Sequence, residues 1–217
     1  MSTSLSEAES LEVVRLTGAV LEGHFVLTSG LHSGHFVSKD LVGTLPAKLE
    51  RLAATIASAF IDSGVEVVAA PAMGAIKLGD RVAPNLGDDV ISVYAEQAKD
   101  GSFFFGRGFD QFIREGTRVI VVEDIITTGK TTRAVIAAVE KLGGEVVGIG
   151  LLWNRSQEEF GVTLFACVSQ NFPNYTKEEC PLCRRRVPIN TKANKHGVEF
   201  LGEYGEDPTE WPANRSN

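Results

Sequence analysis

Cysteine is scarce, with three in 217 residues. An odd and small number of thiols does not describe a disulfide scaffold and fits a reducing compartment. Long apolar runs are missing too: none approaches the roughly 20 residues of a membrane-spanning helix, so no membrane partner is expected. There is no basic excess, since 21 Lys and Arg face 28 Asp and Glu for a net charge of -7, with a pI near 5.2. That balance argues against nucleic acid as a partner. The opening MSTSLSEAES is polar and acidic, unlike a signal peptide, so a cytoplasmic chain is expected, and the sequons at Asn154, Asn174 and Asn214 are then chance matches. A full ATP-binding P-loop is also lacking. Gly129-Lys130-Thr131 imitates its end, but the glycine required five residues before Gly129 is Asp124. What remains is ordinary, 43% apolar and 23% charged, enough for one sizeable core.

The most informative stretch is Arg118 to Leu152. An apolar run, Val119 to Val122, ends in two carboxylates, Glu123 and Asp124, and passes through Ile125 and Ile126 into Thr127, Thr128, Gly129, Lys130, Thr131 and Thr132. This pattern predicts a buried strand entering a hydroxyl-rich turn. Val135, Ile136, Val139 and Leu142 then recur at helical spacing until Gly143 and Gly144, and a second apolar run follows from Val146. The unit reads as strand, helix, strand with a right-handed crossover, and ligands of such units bind at the carboxyl ends of the strands. Backbone N–H groups at the helix start, the threonine hydroxyls and the close approach that Gly129 permits suit a phosphate. Glu123 and Asp124 would repel a phosphate but would accept hydrogen bonds from sugar hydroxyls or hold a hydrated Mg2+. A ligand carrying both a phosphate and a vicinal diol satisfies both halves.

Elsewhere the pattern predicts an amphipathic helix over Ser6 to Glu22, a hairpin over 23–39, a helix over Ala47 to Phe60, and strands at Val65–Ala70, Asp89–Glu96 and Val162–Val168. Pro71 to Ala75 is a small-residue turn whose backbone can approach an anion, with Met73 and Gly74 at its centre; a helix follows that Pro84 is expected to end. Three of the four histidines fall in the hairpin and read as surface or base-stacking residues rather than ligands. Cys180 and Cys183 have metal-like spacing, but no second CxxC follows and only Cys167 or His196 is left to complete a ligand set, so zinc is not the expected reading. Cys167 lies in an apolar run and reads as core. The segment from Asn190 reads as a loosely packed tail.

Val121 to Thr131 resembles the 5-phosphoribosyl 1-diphosphate (PRPP) motif of type I phosphoribosyltransferases. The resemblance extends to the orotate phosphoribosyltransferase family in the hairpin, with Phe36 and its serine-glycine turn, and in the CPLC segment. Lys130, where the family usually has a small residue, and Thr28, where some members place a lysine, are departures. The resemblance implies an α/β fold with a mainly parallel central sheet, flanking helices and a small N-terminal hood. It forms one domain over 1–217: N-terminal helix and hood 1–45, core 46–170, C-terminal segment and tail 171–217. It implies transfer of the phosphoribosyl group from PRPP to orotate, with oxocarbenium character at the ribose C1 and no covalent step on the protein. Glu123, Asp124 and the residues Ile125 to Thr131 would hold PRPP, Met73 and Gly74 its diphosphate, and Phe36, Thr128 and Arg155 the orotate, with Arg155 on the carboxylate. Mg2+ would come mainly through PRPP and water. The stretch Ala95 to Gly101 stands where the family carries a mobile catalytic loop, of whose basic residues only Lys99 remains; Arg107 would serve the neighbouring subunit's site in a homodimer. Asp124, Lys99 and Arg107 are the expected catalytic residues. A phosphoribosyltransferase for another base, or a PRPP- or nucleotide-binding regulator without turnover, are the rival readings.

Overall fold

The computed structural model describes residues 4–27 and 29–190; Thr28, His196, Asn214 and the tail beyond Asn190 lie outside them. In chain order the elements are α1 (Glu7–Leu16), β1 (Val20–Val26), β2 (His32–Val37), α2 (Lys39–Val42), α3 (Pro46–Ser58), β3 (Val67–Pro71), α4 (Ile76–Leu86), β4 (Ile91–Gln97), β5 (Phe103–Phe104), a 3-10 turn (Phe109–Phe112), β6 (Arg118–Ile126), α5 (Lys130–Lys141), β7 (Glu145–Asn154), β8 (Thr163–Val168), β9 (Asn174–Tyr175) and α6 (Pro181–Arg184). They gather into two compact units. One takes the chain up to Thr17 together with Lys39–Gln170, the other Gly18–Ser38 with the described residues from Asn171 onward.

The larger unit is built on a six-stranded sheet in the order β5-β4-β3-β6-β7-β8, parallel except where β5 turns back on β4. The run Val119 to Val122 is fully buried, as a central parallel strand covered on both faces must be. One face presents Val67, Ala69, Val119 and Val121 to Val135 and Val139 of α5 and to Phe105 and Ile113. The other face meets α3 and α4. Gly148 and Gly150 of β7 let α3 settle close, because a Cβ on Gly148 would stand 2.3 Å from Phe60 Cε1 and one on Gly150 2.4 Å from Ile56 Cγ2. Cys167 of β8 is core, as expected: its thiol faces the Leu52 carbonyl at 3.6 Å, and burial pushes its pKa up to about 12.

Three local expectations need correction. The N-terminal helix begins at a Ser6/Glu9 capping box but stops at Leu16, not Glu22, because Gly18 takes a left-handed φ of 75° and Val20 to Glu22 enter β1. Pro84 does not end α4. It sits in the last turn, where its missing N–H forfeits one bond while Val82 and Ala83 stay packed inward, and the helix runs on to Leu86 before Gly87. The stretch Ala95 to Gly101, where the resemblance places a mobile loop, is mostly hairpin: Ala95 and Glu96 are strand, as the expected strand over Asp89–Glu96 has them, and Gln97 extends it, paired to β5 through Glu96↔Phe104 and Gln97↔Phe103. Ala98 N–H donates to the Ser102 carbonyl at 2.8 Å, so the connection is a short hairpin tip.

The smaller unit pairs β1, β2 and β9 antiparallel, β2 in the middle, which bears out the hairpin. A bulge between Glu22 and Phe25 breaks the alternation, so that His24, Phe25 and Val26 are buried in succession. The segment at Ile189 and Asn190 lies along β1 through the His24↔Ile189 bridge and the Asn190 N–H, which donates to the His24 carbonyl at 2.7 Å.

The close seat of α3 on β7 is testable. Gly148→Ala should destabilise the chain by about 1–3 kcal/mol in urea unfolding through overpacking. Gly87→Ala, whose Cβ would meet only Val90 Cγ2 at 3.5 Å, should stay within about 0.5 kcal/mol of the parent.

Candidate active site

β4, β3, β6 and β7 are parallel neighbours, so the turns that follow them open on one edge of the sheet. β6 brings its two acids to that edge. Glu123 and Asp124 are 7% and 5% exposed, and a carboxylate taken out of water needs hydrogen-bond donors. Glu123 Oε2 accepts from the Thr132 hydroxyl on the first turn of α5, and Asp124 Oδ1 accepts from Ile125 N–H at 2.6 Å. One acid thus ties the strand end to the helix start.

Thr127 and Thr128 are exposed between strand and helix. Gly129 begins α5 with φ 69° and no side chain caps the helix, which leaves its amide-rich N-terminus for a ligand anion. Gly129 is required twice. Its φ disfavours any side chain, and a Cβ would lie 2.7 Å from Phe160 Cζ. Phe160 is held in turn by Arg133, whose guanidinium sits 4.7 Å over its ring, donates to Glu158 Oε2 at 2.9 Å and to the Glu159 carbonyl at 2.8 Å. Lys130 is exposed and Thr131 half-buried. Ile125 is half-buried, whereas Ile126 is in the core and its carbonyl accepts from Arg155 N–H at 2.8 Å.

That last bond sets Arg155, the first residue past β7, directly beside the end of β6. The side chain is half-buried, and burial pushes its guanidinium below the ordinary value, although arginine stays cationic at neutral pH. After β3, Met73 is 84% exposed and Gly74 is exposed, with α4 again uncapped by any side chain. Lys99 is exposed at the tip of the β4–β5 hairpin. Arg107, exposed and with φ 58°, donates to Glu96 Oε1 at 2.9 Å; this bond raises its pKa. Phe36 lies on β2 in the smaller unit, its ring centroid 5.6 Å from that of Phe25.

The larger unit therefore joins a pair of buried acids, an uncapped helix start and a half-buried arginine on neighbouring strand ends. Residues 42–174 match the phosphoribosyl transferase domain family. The orotate phosphoribosyltransferase of Thermus thermophilus is 38% identical over 181 residues, 82% of this chain and 97% of its own. That of Pelotomaculum thermopropionicum is 40% identical over 186 residues, 85% of this chain and 95% of its own. The chain belongs to the orotate phosphoribosyltransferase family. Solved structures confirm the fold of this family: the Mycobacterium tuberculosis orotate phosphoribosyltransferase superposes with a TM-score of 0.62 at 23% identity, covering 75% of this chain and 95% of that one. An adenine phosphoribosyltransferase from Rhodothermus marinus superposes with a TM-score of 0.56 at 22% identity, covering 74% and 98%. Fold likeness alone therefore does not choose the base.

The acids, the threonine turn and Arg155, singled out from the sequence, come together at neighbouring strand ends, whereas Thr132 as the partner of Glu123 and Phe160 as the wall behind Gly129 do not show in it. Nothing in the spacing of nine or thirty-one residues signals those contacts. Gly129→Ala should therefore abolish PRPP binding by calorimetry, through a displaced turn, while the far-ultraviolet circular dichroism of the fold is retained.

Proposed function

We propose that this chain transfers the 5-phosphoribosyl group from PRPP to orotate, giving orotidine 5'-monophosphate and pyrophosphate. The observation that carries the choice of base is Arg155. It is a half-buried cation fastened by its backbone to the end of the PRPP motif, and a planar guanidinium fork suits a carboxylate, which orotate has and purines lack. The curated relatives bear the same activity in their names.

In this reading Asp124, with Glu123 beside it, orients the ribose hydroxyls. The uncapped start of α5 with Thr127, Thr128 and Thr131 takes the 5'-phosphate, and the turn at Met73 and Gly74 takes the diphosphate through its backbone. As the bond from C1 to the diphosphate lengthens, positive charge grows on the ribose and the base nitrogen closes from the opposite face. The protein's part is to fix that geometry and to meet the charge on the leaving group, for which Lys99 and Arg107 stand on the β4–β5 side. Residues that could ligate a divalent cation here are Glu123 and Asp124, and no third Asp, Glu, His or Cys joins them in a cluster among the described residues. That donor set fits an ion carried mainly by substrate phosphates and water. When bound, Mg2+ would supply charge neutralisation of the diphosphate. Arg107 would meet that charge in a partner's site within a cytoplasmic homodimer. A regulator that binds PRPP without turnover draws support from Glu96, an acid that neutralises Arg107 in the segment where the family carries basic residues.

Asp124→Asn should lower kcat/KM for PRPP by about 100-fold or more with unchanged unfolding. Unchanged kinetics would contradict the ribose site. Arg155→Ala should raise the KM for orotate by about 10- to 100-fold, the loss of one charge-assisted contact, while that for PRPP changes little. Equal effects on both substrates would count against the carboxylate contact.

A further inference from the structure

Four metal-ligating side chains that the proposed reaction does not use converge within the smaller unit. They are His24 of β1, His32 of β2, Cys180 just before α6 and Cys183 within it. His24 Nε2 lies 2.8 Å from His32 Nδ1 and 3.6 Å from the sulfur of each cysteine. Cys183 Sγ lies 3.3 Å from His32 Nδ1, and all four ligand atoms fall within 4.8 Å of one another. We propose that these four residues form a structural zinc site that ties the β1–β2 hairpin to the C-terminal segment.

The distances suit the ion. With zinc bonds to sulfur and nitrogen of ordinary length, a tetrahedron has edges of about 3.3 Å between nitrogens, about 3.6 Å from nitrogen to sulfur and about 3.8 Å between sulfurs. Both sulfur contacts of His24 already match at 3.6 Å, the 3.3 Å contact of Cys183 with His32 is about 0.3 Å short, and the two nitrogens need part by only about 0.5 Å.

The surroundings orient the ligands as well. His24 Nδ1 stands 2.7 Å from the Val187 carbonyl oxygen. A carbonyl can only accept, so Nδ1 carries the hydrogen and Nε2 turns a bare lone pair into the cluster, the arrangement that zinc-bound histidines use. His32 Nδ1 and the two sulfurs all face this lone pair, at 2.8, 3.6 and 3.6 Å. A cation at the centre resolves the crowding, since both thiols become thiolates and both imidazoles offer lone pairs.

Local backbone geometry builds the site from residues far apart in sequence. The β1 bulge turns His24 inward beside Phe25, His32 opens β2 opposite Val26 and Tyr175, and the start of α6 sets the two cysteines one turn apart. His24, His32 and Cys180 are each at most 1% exposed. Four protein ligands leave no open position, so the site is structural rather than catalytic. Zinc is not what the sequence alone predicts, since only Cys167 or His196 is left there to complete the pair Cys180 and Cys183. Cys167 instead belongs to the core of the other unit, His196 lies outside the described residues, and the hairpin histidines that were read as surface groups supply the missing pair.

The test is elemental analysis of the full chain purified without chelators, followed by removal of the metal and titration of the apoprotein with Co2+. About one zinc per chain is expected, with tetrahedral visible bands and a thiolate-to-cobalt charge-transfer band on reconstitution. Cys183→Ser should lose at least nine-tenths of the metal. Zinc-free protein that takes up neither zinc nor cobalt would overturn the site, as would a native Cys180–Cys183 disulfide under reducing conditions. A folded Cys183→Ser chain that keeps its zinc would overturn it too. The cobalt titration needs no variant, so the outcome does not depend on whether the substituted chain folds, and it is independent of transferase activity.

Discussion

The larger unit depends on one constraint: a parallel strand, β6, whose run Val119 to Val122 is fully buried, must carry near its end two carboxylates that sit nearly out of water. Glu123 is held there by the hydroxyl of Thr132, which belongs to the helix that follows. The strand end, the turn and the helix start are therefore one piece, and the turn between them cannot wander. Gly129, pressed against Phe160, completes the brace by admitting a backbone conformation and a proximity that no side chain tolerates. The same strand end receives Arg155 through a backbone bond from β7. A rigid scaffold thus fixes an uncapped helix start, a buried acid pair and a half-buried cation side by side.

A transferase of this kind needs no nucleophile of its own. Positioning and charge would do the work, and donors preset on a rigid edge would do it without reorganisation during the reaction. The acidic total charge of the chain does not oppose this, because Arg155 keeps a half-buried cation beside the end of β6. The smaller unit solves a different problem. Its three short strands bury few apolar side chains, and small sheets of this size gain from a cross-link. A zinc ion held by two hairpin histidines and two cysteines from the other end of the chain would supply one.

Much of the larger unit is legible in the sequence because it rests on local signals. The uninterrupted apolar run announces a doubly covered strand, the period of Val135, Ile136, Val139 and Leu142 announces a helix, and Gly143 with φ 89° ends it as expected. Where competing local and tertiary forces meet, the reading slips. Gly18 outweighs the helical period beyond Leu16, and packing of Val82 and Ala83 carries α4 past Pro84. Pairing of Gln97 with Phe103 of β5 carries the strand one residue past its expected end at Glu96. Contacts made across long separations leave no trace in spacing: Glu123 with Thr132, Gly129 with Phe160, and above all His24 and His32 with Cys180 and Cys183. The last set escaped because a CxxC pair advertises a metal, while its partners lie some 150 residues away in a hairpin whose bulge hides one of them.

The account stands or falls on turnover and on which base is used. Loss of orotate absorbance after adding PRPP and Mg2+ to the purified chain, with adenine, hypoxanthine, guanine and uracil run in parallel, measures both at once. The account predicts that orotate alone is consumed. Turnover of a purine instead, or PRPP binding with no turnover of any base, would contradict it.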